Sequence, residues 1–281
     1  MMKSGLVKVQ FEHLDTIPTI PTVLWNLLKL FENPNTSLNE LATFMAQDPV
    51  LAAKILKVVN SPIYGFPGRI SSITQAMLLL GLNVVRGLLL GVSVLDIMQR
   101  SVVGLWEHSV GCAIIAKIIA RKKGLKDPEE VSVAGLLHDI GKVFLSLKFP
   151  DLYRQVIAEA NDRTIFIAEA EKELFGVTHA EVEGWVGNKW NFPRILVEQM
   201  IYHHKPELSR QFSLHTAIVH FSDILIRGRG FGSGGDKLVP CVDDSAWRLL
   251  DLSDTDIRET LIEMEDLLEQ AEELLVAGEA T

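Results

Sequence analysis

The sequence predicts an all-α protein, and three observations carry that expectation. Leu, Ile, Val and Ala dominate a chain of 281 residues in which 48% of side chains are apolar. Almost no stretch alternates apolar and polar residues with the period of two that a half-buried strand shows. Apolar positions recur instead at helical spacing, between capping residues, glycines and prolines. With 22% charged residues and few prolines, the composition is that of a globular chain, neither disordered nor fibrous. The length allows one large domain or two closely joined ones.

The punctuation places helices near 20–32, 37–46, 49–60, 71–81, 82–99, 102–122, 129–146, 150–161, 164–175, 179–190, 194–204 and 213–227. Ser37-Leu38-Asn39-Glu40 reads as a capping box. Asp48-Pro49 and Asp127-Pro128 each offer an N-cap followed by proline at the first helical position. Asn60-Ser61-Pro62 and Lys205-Pro206 read as helix ends, because the residue before proline avoids the α region. Gly124 and Gly176 suit C-terminal caps. Between 254 and 275 an acidic segment places Leu261, Met264, Leu267, Leu268, Ala271, Leu274 and Leu275 on one face, so an amphipathic helix is expected there. The stretch 228–236, GRGFGSGGD, lacks the spacing of a phosphate-binding loop and follows no strand; a mobile surface loop is expected.

Composition also excludes function classes. The net charge of −9 and pI of about 5.4 provide no basic footprint for DNA. Cys112 and Cys241 form no CxxC pair, which fits a reducing, cytoplasmic setting. The N-terminus has no apolar run of signal-peptide length. Residues 76–98 are long enough to span a bilayer, but Asn83, Arg86 and Asp96 interrupt them. A buried central helix, broken near Gly87 or Gly91, is the expected form, with no membrane partner.

The chemistry lies in the histidines. The stretch 136–145, LLHDIGKVFL, places His138, Asp139 and Lys142 in apolar surroundings, where ionisable groups cost several kcal/mol unless compensated. His108 lies on the stripe Leu105, His108, Cys112, Ile115, Ile119. His179 opens a helix on the stripe His179, Val182, Val186, beside the small residues Ala180, Gly184 and Gly187. His203-His204 ends another helix, and Asp223 lies among Ile218, Phe221, Ile224 and Leu225. Taken singly, each could be a core residue satisfied by hydrogen bonds. One shared solution for the five histidines and two aspartates is more economical, and a divalent metal site is that solution, since imidazole and carboxylate are its ligands. On a continuous helix His138 and Asp139 would point about 100° apart, both toward one cleft. Lys142, four residues after His138 and three after Asp139, would lie on the same side. His220, one turn before Asp223, is expected to pack plainly, His13 and His215 to lie at the surface or its boundary, and Trp185 and Trp190 to form core or cleft walls.

The order His108, His138-Asp139, His179, His203-His204, Asp223 resembles the metal-binding pattern of the HD superfamily of phosphohydrolases. Residues 14–30 (LDTIPTIPTVLWNLLKL), 46–65 (AQDPVLAAKILKVVNSPIYG) and 70–90 (ISSITQAMLLLGLNVVRGLLL) resemble the N-terminal half of HDOD domains. Residues 175–193 (FGVTHAEVEGWVGNKWNFP) and 202–208 (YHHKPEL) resemble their C-terminal half. The likeness spans 14–225 and implies an HD-type helical bundle over 101–225 and an additional N-terminal helical lobe over 14–100; the Gly-rich loop and acidic helix read above make up 226–281.

It also implies two metal ions, of iron, manganese, nickel or zinc. His108, His138, Asp139 and Asp223 would hold one; His179, His203 and His204 would hold the other, with Asp139 bridging. Ions about 4 Å apart could bind an attacking hydroxide and a phosphate oxygen. Asp139 and Lys142 would then be the catalytic residues, Lys142 contacting a phosphate oxygen or protonating a leaving group. Two departures stand out. Lys205-Pro206-Glu207-Leu208 replaces the acidic residue and GYP motif of cyclic-di-GMP phosphodiesterases, and Gly104 offers no carboxylate one turn before His108. Many HDOD proteins act as bacterial signalling modules. The resemblance therefore implies a cytoplasmic regulatory protein with a metal site, binding a nucleotide or other phosphate ligand or a signalling protein, or else an active phosphohydrolase on a nucleotide or cyclic nucleotide.

Overall fold

The structure is a computed structural model that describes residues 4–12, 26–27, 29–30, 33, 35–37, 40–41, 43–44, 49–61, 64, 66 and 70–276. Most of the expected helix 20–32, half of 37–46, His13, Asp48 and the side chain of Asp96 lie outside the described residues. Among those described, every regular element is helical: α1 Ser4–Glu12, α2 Pro49–Val59, α3 Ile73–Ser101, α4 Leu105–Lys122, α5 Pro128–Leu137, α6 Ile140–Lys148, α7 Pro150–Arg163, α8 Ile167–Phe175, α9 His179–Lys189, α10 Arg194–Tyr202, a 3-10 turn Pro206–Leu208, α11 Ser213–Arg229, α12 Asp244–Leu250 and α13 Asp254–Val276.

Several boundaries follow the capping chemistry. Ser37 Oγ accepts from Glu40 N–H while Glu40 accepts from Ser37 N–H, closing the expected box. Asn60 carries α2 into the next segment: its amide donates to Leu56 O and Ile70 O and accepts from Ile70 N–H. Gly124 and Gly176 adopt left-handed φ at the ends of α4 and α8. Asp127 stands at the N-cap of α5, but its side chain makes no capping bond. α1 and α12 are helices that the periodicity did not reveal; both are short, at 9 and 7 residues.

The expected pair 71–81 and 82–99 runs on as α3, with its break at Gly81 (φ 80°, ψ 163°) instead of at Gly87 or Gly91. A Cβ at Gly87 would stand 2.1 Å from Val133 Cγ1, so that glycine permits α3 to lie against α5. α3 includes the one described segment, Ile73–Val94, that is long and apolar enough to cross a membrane; 61% of it is buried inside the protein. α4 and α5 pack together and onto α11, α3 and α10, and α9 lies across α6 and α10. Each Leu or Ile buried here contributes about 1.5–3 kcal/mol.

The expected helix 129–146 is two helices. α5 stops at Leu137 and α6 starts at Ile140, leaving His138 as a cap and Asp139 outside helical geometry (φ −112°, ψ 10°). His138 and Asp139 thus owe their directions to a turn. A Cβ on Gly141 would come within 2.2 Å of His179 O, so only glycine permits the start of α6 to touch the start of α9.

Candidate metal centre

Five segments bring the histidines and carboxylates together: α4 provides His108, the α5–α6 turn His138 and Asp139, the first turn of α9 His179, the end of α10 His203 and His204, and α11 Asp223. All are buried except His204, which is half-buried.

Two sets of converging atoms result: His108, His138 and Asp223 in one, Asp139, His179, His203 and His204 in the other. His108 Nε2 lies 3.2 Å from His138 Nε2, and His179 Nε2 lies 3.0 Å from His204 Nε2. Nitrogens bound about 2.1 Å from one ion stand about 3.0–3.4 Å apart, the edge of an octahedron or tetrahedron. Asp139 lies between the sets. Its Oδ2 is 3.4 Å from both His108 and His138, and its Oδ1 is 3.4 Å from His179 and 4.0 Å from His203.

Outer hydrogen bonds aim the rings inward. His138 donates from Nδ1 to Gly135 O at 2.7 Å, and His203 from Nδ1 to Met200 O at 2.6 Å. His179 Nδ1 donates to Glu171 Oε2 at 2.6 Å, and Glu171 Oε1 accepts from Tyr153 OH. With Nδ1 protonated, each neutral ring presents its Nε2 lone pair to the cluster. Three such lone pairs and two carboxylates converging in a dry interior are a donor set that suits a cation. The buried Oδ1 of Asp139, Oδ1 of Asp223 and Nε2 of His203 have no hydrogen-bond partner, and Asp139 Oδ2 meets only the Lys142 ammonium and the histidine rings; these are atoms a metal would take. The donor set therefore fits divalent transition metals.

Asp139 occupies the N-cap position of α6 without capping it. Gly141 N–H, a natural partner for that carboxylate, donates instead to Glu183 Oε1 from α9 at 3.0 Å. Glu183 thus caps α6 from another helix and leaves Asp139 turned toward the cluster.

The electrostatics separate the groups. Burial alone would raise Asp139 and Asp223, yet Lys142 and His138 hold Asp139, and His108, His138 and Arg227 hold Asp223, well below the usual carboxylate range. Burial, then the charge of Asp139, pushes Glu183 well above it. Burial and neighbouring histidines depress His203 and His204, whereas Asp139 and Asp223 outweigh burial at His108 and raise it. Lys142 is fully buried, with Nζ 2.7 Å from Asp139 Oδ2 and donating to Gly234 O at 2.8 Å.

That last bond corrects the expectation for 228–236. The Gly-rich loop is packed on the centre, with Phe231 and residues 234–236 buried. His220 is also more than packing: Nδ1 donates to His203 O at 2.7 Å and Nε2 accepts from Asp243 N–H at 3.0 Å, tying a cluster residue to the segment before α12. His215 is half-buried, Trp190 packs edge-on against Phe144 in the core, and Trp185 is half-buried beside Phe11. Glu171, Glu183 and Tyr153 were missed from the sequence. The one available signal was Glu183, a carboxylate one turn after His179 on an otherwise apolar face.

The HDOD domain family model matches residues 17–206. A structure from Geobacter sulfurreducens, an HDOD domain protein of unknown function, superposes with a TM-score of 0.72 at 28% identity, covering 97% of this chain and 98% of that one. A Marinobacter aquaeolei protein provisionally assigned to signal transduction gives a TM-score of 0.67 at 20% identity over 96% of this chain and 60% of its own. A Shewanella amazonensis protein provisionally assigned as a phosphohydrolase gives 0.59 at 21% identity over 94% of this chain and 98% of its own. Both show likeness of fold. An uncharacterised Treponema pallidum protein is 25% identical over 77% of this chain, which spans 43% of that protein's length. With most of its length matched by the family model, the chain belongs to the HDOD family.

Proposed function

We propose that the chain is a cytoplasmic regulatory protein of bacterial signal transduction whose core holds two divalent transition metals. The observation that carries this reading is the cluster of buried Nε2 atoms and carboxylate oxygens gathered from five segments around Asp139, among which Asp139 Oδ1, Asp223 Oδ1 and His203 Nε2 have no hydrogen-bond partner. His108, His138 and Asp223 would hold one ion, and His179, His203 and His204 the other, with one Asp139 oxygen toward each. The ions would be iron, manganese, nickel or zinc, and would supply water activation and neutralisation of phosphate charge. Glu171 orients His179, Glu183 releases Asp139 from capping, and Lys142 balances the charge of Asp139. The output would pass to a signalling protein or follow the binding of a phosphate-containing ligand such as a nucleotide.

A second reading, hydrolysis of a nucleotide or cyclic nucleotide, is favoured by Lys142, an ammonium beside the shared carboxylate. Asp139 and Lys142 would then be catalytic, with Lys142 steadying a phosphate oxygen or giving a proton to the leaving oxygen. Elemental analysis of purified protein tests the shared premise: two transition metals per chain are expected, and a metal-free chain that takes up none on reconstitution refutes it. Assays of the loaded protein on cyclic mono- and dinucleotides separate the readings, because hydrolysis abolished by Asp139→Ala would establish the enzyme.

A further inference from the structure

The loop 230–238 packs against α4 and the Lys142 ammonium at the edge of the centre. Gly232 lies so near α4 that a Cβ would stand 2.3 Å from His108 N and 2.4 Å from Gly104 O. Ser233 N–H donates to Gly104 O at 2.9 Å. A Cβ on Gly234 would stand 3.2 Å from Arg227 Nη1, 3.5 Å from Lys142 Nζ and 3.8 Å from Asp139 Oδ2. Gly234 therefore sits, as neutral backbone, between two buried cations and the carboxylate shared by both ligand sets.

Both cations are held by the loop itself. Lys142 donates to Gly234 O, and Arg227 pairs with Asp236 and donates from Nε to Leu238 O at 2.9 Å. The loop is latched outside the centre as well: Asp236 Oδ2 accepts from Ile167 N–H at 2.9 Å, and Asn161 donates to Gly235 O at 3.0 Å. Gly230, Gly232 and Gly235 all have positive φ, so the path of the loop depends on glycine.

We propose that this loop is a plug in a phosphate subsite, and that Lys142 and Arg227 grip a phosphate group when the plug lifts. The inference rests on the metal-centre reading and extends it to Arg227 and the loop. Asp236 occupies the Arg227 guanidinium as a ligand's anionic oxygen would, and Gly234 O accepts the Lys142 hydrogen bond that a phosphate oxygen would accept. Metals sharing the charge of Asp139 would loosen its hold on Lys142. A closed plug lowers apparent affinity by the fraction of molecules that are open.

The test uses the full, metal-loaded chain with inorganic phosphate as probe, calorimetry for affinity and amide hydrogen exchange for the loop. Asn161→Ala and Asp236→Ala remove different latches. Each should speed exchange over 232–236 and tighten phosphate binding at least tenfold, and Arg227→Met added to Asp236→Ala should reverse the gain. Phosphate should also speed loop exchange in the unmodified protein. Faster exchange in both variants with unchanged phosphate affinity would overturn the plug while metal content still upheld the centre. A chain unable to bind metal would remove the reading beneath both.

Discussion

Helices α2 and α9 have the same length, 11 residues each, and solve burial in opposite ways. α2 buries Leu51, Ile55 and Val59 at intervals of one turn, and hydrocarbon alone fills its inner face. α9 buries His179, Val182, Glu183 and Val186 on the equivalent face. An apolar stripe is content with any apolar neighbour of suitable volume. A polar stripe needs particular atoms at particular distances, here Glu171, Gly141 N–H and the other members of the cluster. The difference shows why one region tolerates local change and the other works as a unit.

The largest effect is expected at the shared member. Asp139→Ala should reduce binding of both metals and leave the Lys142 ammonium buried without its carboxylate, at a cost of about 3–5 kcal/mol. Elemental analysis together with urea denaturation reads both quantities, and retention of two ions would rule out Asp139 as the bridge. Ile55→Ala in α2 should destabilise by about 2–5 kcal/mol through the cavity it leaves, with metal content unchanged in the folded fraction. A proportional loss of metal would show that the regions do not act separately.

Glu171→Gln keeps volume but weakens the acceptor for His179 Nδ1–H. Metal affinity at the Asp139, His179, His203 and His204 set should fall about 10–100-fold. Titration with the metal should show the other set less affected, and equal weakening of both would mean that the two are not independent.

The smallest effect lies away from the centre, at Glu198 on α10. Its Oε1 accepts from Ser209 Oγ–H and the N–H groups of Arg210, Gln211 and Phe212. Burial would raise this carboxyl, but those donors outweigh it and hold the folded pKa below its ordinary value of 4.5. The stabilisation is therefore present above that value and lost as pH falls through the folded pKa. Glu198→Gln should cost about 1–3 kcal/mol near neutral pH, with the difference from the parent chain vanishing in acid. Denaturation curves across that range would expose a different origin if the gap persisted at low pH.

The same contrast governs what could be read from sequence. Helices stabilised by apolar period and terminal chemistry were legible: α2, α4, α9 and α11 fall close to their expected positions, and the Ser37–Glu40 box forms. The candidate cluster was legible because its members are uncommon residue types on apolar faces. The turn at His138-Asp139 was not, because 129–146 carries neither proline nor a run of polar residues; the break follows from the fit of Gly141 against His179 and from Glu183 capping across helices. Glu171, Tyr153 and the seating of the Gly-rich loop share this origin. Their partners lie 8 to 92 residues away, as for His179–Glu171 and Lys142–Gly234, and no local pattern encodes such pairings.

The placement of Asp223 on α11 has a practical consequence. The family match ends at residue 206, before α11 begins, so the segment matched by the family model is smaller than the candidate metal centre. A polypeptide trimmed to that segment would retain five histidines and one aspartate of the constellation and lose Asp223, the Arg227 guanidinium and the His220 strut beneath His203. Comparisons within this family that stop at residue 206 would therefore pass over Asp223, Arg227 and the Gly-rich loop packed on the centre.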